Sequence, residues 1–201
     1  MQTTHPVLRT IGSPYAGGFY AGLVRINDQL YELIAAPKSE GECKKPWGEE
    51  DDDVSDALSY NDGAANTAAM LTAGSELAQW ATDLRIGGHD DWYLPSQDEL
   101  EILYRNLKPT TDENSLYGRS GINLSAAVPT RPYIRELPAQ TTAADFRQGG
   151  VEAFAPSWYW SSTQHAANSD CAWYQGFYDG YQLITHKSYE GRARAVRRLA
   201  I

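Results

Sequence analysis

One short segment combines the residue types of an acid–base catalyst: His89 is followed directly by Asp90 and Asp91. An imidazole beside carboxylates can accept and donate protons near neutral pH. The preceding Gly87 and Gly88 allow a tight turn, in which the aspartates can hydrogen-bond their own backbone. We therefore expect these residues to shape a turn, and proton transfer is the alternative.

Other residues that could support catalysis or bind metal are scattered. Cys43 and Cys171 lie in no metal-like spacing, and five consecutive carboxylates at 49–53 lack the alternating oxygen ligands of a calcium loop. The chain contains no nucleophile elbow, phosphate-binding glycine loop or zinc spacing. We predict no catalytic residue, no metal and no cofactor. Carboxylate pairs that hydrolyse glycans follow no fixed spacing, so the sequence leaves that chemistry open.

Composition narrows the class of protein. A chain of 201 residues with 42% hydrophobic residues suits one globular domain, 1–201. A net charge of −9 disfavours nucleic acid and anionic membrane surfaces as partners. We see neither a secretion signal nor an apolar run that could span a bilayer. The 13 Tyr and 6 Trp outnumber the 4 Phe, which favours wet, contact-making surfaces.

The segment that positions these residues runs from Gly87 to Leu107. Pro95 favours an extended conformation for the residues just before it. Ser96 and Glu99 have the spacing of a capping box, which satisfies the free backbone donors at a helix start. Apolar residues then recur at 100, 103, 104 and 107, on one helical face. We predict a capped helix that packs on the core.

Strands and loops surround this helix. The turn residues Asn27-Asp28 and Asp179-Gly180 each predict a β-hairpin. The apolar segment around Gly74 fits either one helix or two helices that meet at this glycine. The remaining expectations are an N-terminal arm (1–16), a polar acidic loop (37–62), a helical segment (66–84), an irregular loop region (110–156) with possible short strands at 140–142 and 154, further strands (157–163, 172–178 and 181–184), and one closing strand (191–199).

The ordered motifs resemble the Lcl C-terminal-domain family, found in bacterial surface proteins and in phages and prophages. The residues that carry the resemblance are Gly88–Ser96 with Glu99-Leu100, Trp160–Thr163, Ala172-Trp173, Phe177 with Gly180, and Arg192–Arg197. The resemblance implies an α+β, C-type-lectin-like fold: a small twisted antiparallel sheet, two helices and long loops. The same pattern is similar to the variable proteins of diversity-generating retroelements, such as the phage major tropism determinant.

The resemblance also implies a ligand-binding face. Trp160, Trp173 and Phe177 would be sheet or core residues, and polar residues between them would face outward. These outward residues are Gln164, His165, Asn168, Ser169, Tyr174, Gln175, Tyr178, Tyr181 and Gln182. Tyrosine provides a large contact area at low entropic cost, which suits such a face, although an ordinary solvated strand is the alternative. The sequence lacks the sugar–calcium motifs of calcium-dependent lectins, which favours a protein or a glycan bound without metal.

These observations predict a non-enzymatic phage virion protein, a receptor-binding or tail-tip adhesin made in the host cytoplasm. Its partners would be a host-surface protein or glycan and other virion proteins, without nucleic acid or membrane insertion. Because weak single sites gain from multivalency, we expect a homo-oligomer, and the similarity to the tropism determinant implies a trimer. A head-decoration, collar or baseplate-associated subunit with the same fold is the first alternative, and a host-encoded enzyme is the second.

Overall fold

A computed structural model describes residues 9–116, 123–127 and 133–201. Within these ranges the chain forms four helices and nine strands. The helices are α1 (Lys38–Gly41), α2 (Gly63–Thr72), α3 (Glu76–Asp83) and α4 (Gln97–Leu107). The strands are β1 (Pro14–Tyr15), β2 (Gly18–Ile26), β3 (Gln29–Ala35), β4 (Glu42–Pro46), β5 (Trp158–Gln164), β6 (Cys171–Gly176), β7 (Gln182–His186), β8 (Glu190–Arg194) and β9 (Val196–Ala200). This mixed content confirms the α+β class.

The first sheet is antiparallel, with the strand order β1-β2-β3-β9. Its central hairpin turns at Asn27 and Asp28, whose φ angles are 48° and 66°. Positive φ at both central residues is the requirement of a tight two-residue hairpin turn, so the sequence prediction is confirmed. β9 pairs with β3, which brings the end of the chain beside its N-terminal hairpin.

The second sheet has the order β4-β8-β5-β6-β7. Its neighbours are antiparallel except β5 and β8, which pair in parallel at Tyr159 and Arg192. The prediction of one closing strand over 191–199 is wrong, because the segment divides at Ala195 into strands of different sheets. The Ala195 amide donates to the Gly41 carbonyl at 2.9 Å, and its own carbonyl accepts from the Ala36 amide at 3.0 Å.

Helix and loop predictions were partly correct. α2 and α3 are separate helices that meet near Gly74, where φ is 86°. The polar loop predicted for 37–62 is wrong in its first part, because α1 and β4 occupy residues 38–46 and β4 pairs with β8. A single small sheet with two helices was therefore too simple an architecture.

The region 110–156 is irregular where it is described. Its regular element there is a 3₁₀ turn at Ala144–Phe146. The short strands expected at 140–142 and at Phe154 do not form in this described part. Residues 117–122 and 128–132 of this predicted loop, and residues 1–8 of the predicted N-terminal arm, lie outside the described residues.

The capped helix α4 lies at the centre of the fold. The Glu99 side chain, fully buried, accepts hydrogen bonds from the Ser96 amide at 2.8 Å and the Tyr93 hydroxyl at 2.7 Å. It also accepts from the amide of Gly63, the first residue of α2, at 3.1 Å. Burial raises the pKa of this carboxyl although the donors oppose that shift. One carboxylate therefore satisfies backbone donors at the starts of two helices.

The cluster at His89 forms the expected turn. The amide and carbonyl of His89 bond to those of Ile86 at 3.0 and 3.1 Å. Asp91, however, binds the guanidinium of Arg197 in β9, at 2.7 and 3.0 Å. Partial burial opposes ionisation of Asp91, but the hydrogen bonds and charge of Arg197 outweigh it and lower the pKa. The aspartate thus ties this turn to the first sheet.

Replacing Gly63 by alanine should destabilise the protein. In an ordinary helix, alanine is favoured over glycine by about 1 kcal/mol. Here a Cβ would collide with Glu99 Oε2, the Leu94 carbonyl and the Ser96 amide. We expect Gly63→Ala to lower the free energy of unfolding by about 1–3 kcal/mol in urea titrations. Gly48→Ala is the control, because its Cβ would meet no atom within 4 Å. Equal midpoints for the two variants would contradict this account.

The Asp91 ion pair should make stability depend on pH. A carboxyl with a lowered folded-state pKa stabilises the fold above its ordinary value of 3.8, and that contribution is lost as pH falls through the folded pKa. Asp91→Asn should therefore be less stable than the unsubstituted protein at pH 7, by about 1 kcal/mol or less because the pair is solvent-screened. The difference should shrink as the pH is lowered through the folded pKa of Asp91, and a gap that stays constant between pH 7 and pH 2 would refute the ionic role.

Candidate contact surface

The structure separates the nine predicted face residues into groups. His165, Asn168 and Ser169 lie in the turn between β5 and β6. Tyr174, near the end of β6, lies with Tyr178 and Tyr181 around the turn between β6 and β7. These turns are at opposite ends of β6, which has six residues and a length of about 20 Å. The residues therefore do not form one continuous face.

Three predicted face residues point inward, and the prediction is wrong for them. Gln175 and Gln182 are buried, and they pair in register with each other across β6 and β7. Gln182 donates to Gln175 at 3.4 Å, and Gln175 donates to the Gly180 carbonyl at 3.3 Å. Gln175 pairs on its other side with buried Tyr159 of β5. Tyr159, Gln175 and Gln182 therefore lie side by side across three strands and point to the core side of the sheet. Because side chains alternate along a strand, these glutamines lie on the other face of the sheet from Tyr174, and the prediction overlooked this alternation.

Gln164, the third, anchors the five consecutive carboxylates at 49–53, which we call the acidic run. Its Oε1 accepts from the Val54 amide at 2.8 Å and from Lys187 Nζ at 2.6 Å, while its Nε2 donates to Asp53 at 2.8 Å. Lys187 is fully buried, and it also donates to the Asp52 carbonyl at 2.6 Å. Burial lowers the pKa of this lysine, and the nearby Asp53 and Asp52 oppose that shift. The acidic run is thus folded over a buried ammonium group.

Within the described ranges, no set of three or more His, Cys, Asp or Glu side chains is arranged to hold a metal ion. The acidic run uses its polar atoms to bind Lys187, Gln164 and Ser188 instead.

The half-exposed rings form what we call the aromatic surface: Trp158, Tyr174, Tyr178 and Tyr181. The Trp158 and Tyr174 ring centroids are 5.2 Å apart. Tyr178 is 38% exposed, and its ring lies 3.0 Å from the position that a Cβ on Gly176 would take. This surface is the strongest candidate site on the described part of the chain.

Two features fix Trp158, the ring that lies beside Tyr174. Trp158 packs edge-to-face on the fully buried Trp160, with centroids 4.9 Å apart. Gly191 allows Trp158 to lie close to β8, because a Cβ there would collide with both indoles. The neighbouring part of the same sheet face packs against α2 and α3, where Trp160 and Ala193 join Met70 in one apolar cluster. The aromatic surface is thus held by packing while its rings remain accessible.

The hydroxyls of Tyr174 and Tyr178 are neutral at physiological pH. Partial burial raises the pKa of Tyr174, and the neighbouring Tyr178, Tyr181 and Asp179 raise it further. The pKa of Tyr178 is raised for the same reasons, with burial first and Asp179 next. Each hydroxyl can therefore both donate and accept a hydrogen bond.

The turn at the other end of β6 mainly supports itself. Asn168 accepts from the Asp170 amide at 3.2 Å and donates to Cys171 Sγ at 3.5 Å. His165 packs on half-buried Trp173, with ring centroids 5.5 Å apart, and Ser169 is half-buried. Asn168 is exposed, but its amide is committed to the turn. This turn is the weaker part of the predicted face.

Sequence reasoning missed two groups. Trp158 was read as part of a strand, although the alternation with buried Tyr159 could have placed it on the Tyr174 side. Asp98 and Glu101 are buried acids on α4 that no motif indicated. Asp98 accepts from Ser125 at 2.7 Å, and Glu101 accepts from Arg105 and Asn123. These bonds occupy the acids and favour a structural role.

Gln164 should prove structural. Gln164→Leu leaves the Val54 amide without its acceptor and removes one of the two hydrogen bonds that hold buried Lys187, which should cost about 2–4 kcal/mol of unfolding free energy. Hydrogen exchange at the Val54 amide should also accelerate. Exposed Gln148→Leu is the control. If Gln164→Leu unfolds like the control, the anchoring role is wrong.

No curated protein matches the sequence. Among the described residues, no helix is both long and apolar enough to cross a membrane. The family model for the Lcl C-terminal domain matches residues 42–197, which cover α4, the second sheet and the aromatic surface. The resemblance identified from the motifs is confirmed, and the chain belongs to the Lcl C-terminal domain family.

Proposed function

We propose that this protein is a non-enzymatic binding module that contacts another macromolecule through the aromatic surface. The observation that carries the proposal is the fixed, half-exposed cluster of Trp158, Tyr174 and Tyr178. Tyr and Trp are enriched among the residues that dominate binding energy at interfaces. Because packing already restricts these rings, little side-chain entropy is lost when a partner covers them.

The ligand class follows from the chemistry of this surface. Ring faces provide apolar contact, and neutral hydroxyls at Tyr174 and Tyr178 provide hydrogen bonds. Asp179 adds one carboxylate close to these hydroxyls. Such a surface suits a host-surface protein or a glycan bound without metal.

We further propose that the module serves as a receptor-binding or tail-tip adhesin of a phage virion. The resemblance of the sequence motifs to those of the tropism determinant is what supports this setting. A homo-oligomer, such as a trimer, would strengthen weak single contacts through multivalency. A C-type-lectin-like fold is part of the proposal, supported by the pairing of β3 with β9 and by the irregular region between α4 and β5.

The candidate catalytic groups support a binding role. His89 lies in a backbone turn, and its neighbour Asp91 is paired with Arg197. The buried acids Asp98 and Glu101 are hydrogen-bonded by neighbouring side chains. A glycosidase screen tests the enzymatic alternative directly.

Truncating the aromatic surface should weaken binding while the protein remains folded. Tyr174→Ala and Tyr178→Ala together should reduce binding of the purified protein to host cells or an immobilised envelope fraction by about tenfold or more, which corresponds to about 1.4 kcal/mol. Tyr189→Ala is the matched control, since this tyrosine is 55% exposed and lies between β7 and β8.

Two outcomes would redirect the proposal. Unchanged binding by a folded double variant would show that another surface makes the contact. A virion reconstruction that places the chain in a head, collar or baseplate, with the aromatic surface against a virion protein, would favour the structural alternative.

A further inference from the structure

A groove outside the aromatic surface separates the acidic run from the turn between α2 and α3. Its volume is about 350 Å³. Its floor includes the buried side chains of Trp47 and Val54, and its rim carries the exposed carboxylates of Glu49, Asp52 and Glu76. We call these five residues and the space between them the acidic groove.

Buried polar contacts hold the walls of the acidic groove. Ser75, at the start of α3, donates to the Trp47 carbonyl at 2.6 Å, and the Trp47 indole donates to the Ser161 carbonyl at 2.8 Å. On the opposite wall, Lys187 holds the Asp52 carbonyl at 2.6 Å. The groove is therefore formed before any ligand arrives, as binding pockets usually are.

The rim charge favours a cationic ligand. Three carboxylates line the acidic groove, and no lysine or arginine is among its described lining residues. Glu76 is already paired with Lys45 outside this groove, so Glu49 and Asp52 supply most of the attraction. The Lys187 ammonium lies 4.7 Å from the Trp47 ring centroid, but it is buried and engaged in hydrogen bonds. Because Lys187 already lies beside the Trp47 ring, the attraction of a cationic ligand to the acidic groove depends on the rim carboxylates and on the apolar floor.

A second compartment continues the groove across the α2–α3 turn. It has a volume of about 390 Å³ and is lined by Leu71, Trp80 and Asp83. Lys45 lies there as well, 3.3 Å from Glu76. The two compartments share the turn residues 74–76, so an extended segment could follow both.

We propose that the acidic groove binds a lysine or arginine side chain from a basic segment of a partner protein. The aliphatic stem packs on Trp47 and Val54, and the charged end reaches the carboxylates of Glu49, Asp52 and Glu76. Long basic side chains combine an apolar stem with a terminal charge, which matches an apolar floor with an acidic rim. The net charge of −9 also favours encounter with a basic partner.

Short capped peptides test this proposal. Acetyl-Gly-Lys-Gly-amide or acetyl-Gly-Arg-Gly-amide, titrated into ¹⁵N-labelled protein, should shift the amide resonances of Gly48, Val54 and Gly74. A peptide with norleucine at the central position should bind at least fivefold more weakly. Raising the salt concentration should weaken binding of the basic peptides.

Two variants separate charge from shape. The double variant Glu49→Gln with Asp52→Asn should bind the basic peptides at least fivefold more weakly. Gly48→Leu should have a similar effect by filling space, because a Cβ there would meet no atom within 4 Å and the larger side chain can extend into the groove that Gly48 lines. The control is Asp28→Asn with Glu40→Gln, which removes two exposed carboxylates elsewhere.

Three results would overturn the proposal. The first is equal affinity for the basic and norleucine peptides. The second is unchanged peptide binding by both groove variants when their unfolding midpoints match that of the unsubstituted protein. The third is a shift of these amides by calcium or spermidine but not by the capped peptides, which would assign the groove to a small cation.

Discussion

The buried Glu99 carboxylate is the interaction on which most of this fold depends. It bonds to the amides of Ser96 and Gly63 and to the hydroxyl of Tyr93. These donors belong to the start of α4, the start of α2 and the segment between them, so one side chain sets their relative positions. Arg198, whose guanidinium lies 3.9 Å away, brings β9 into the same network. A residue that caps a helix locally therefore also connects helices to a sheet.

The aromatic surface follows from this framework through strand alternation. Trp158 and Tyr174 lie on the sheet face that α2 and α3 partly cover, whereas Tyr159 and Gln175 face the core. Because α2 and α3 are fixed at their N-termini, they leave the end of that face at Trp158 and Tyr174 uncovered. Gly191 then gives Trp158 room to lie against the sheet. The accessible rings are thus a consequence of where the helices end as well as of the residue types in the strands.

Local signals in the sequence predicted the local structure well. The spacing of Ser96 and Glu99 predicted the start of α4, and Asn27-Asp28 predicted the first hairpin, because each depends on neighbours within a few residues. Long-range contacts were not predictable in this way. Gly63 contacts a carboxylate 36 residues later in the chain.

The candidate site shows the same division. Tyr174 is half-buried and Tyr178 is exposed, whereas Gln175 and Gln182 are buried, and strand alternation could have excluded these two from the face. Gln164 was different: its partners, Val54 and Lys187, are distant in sequence, so no local pattern revealed its burial. The division of the closing strand was equally hidden, because no glycine or proline marks Ala195.

The change of sheet at Ala195 has a consequence for how the molecule comes apart. β8 belongs to one sheet and β9 to the other, and a single residue links them. Because the connection is a single residue, the strands of one sheet cannot separate without displacing the adjoining strand of the other sheet. The two layers should therefore melt together as one cooperative unit, and amide protons in both should exchange through the same global opening.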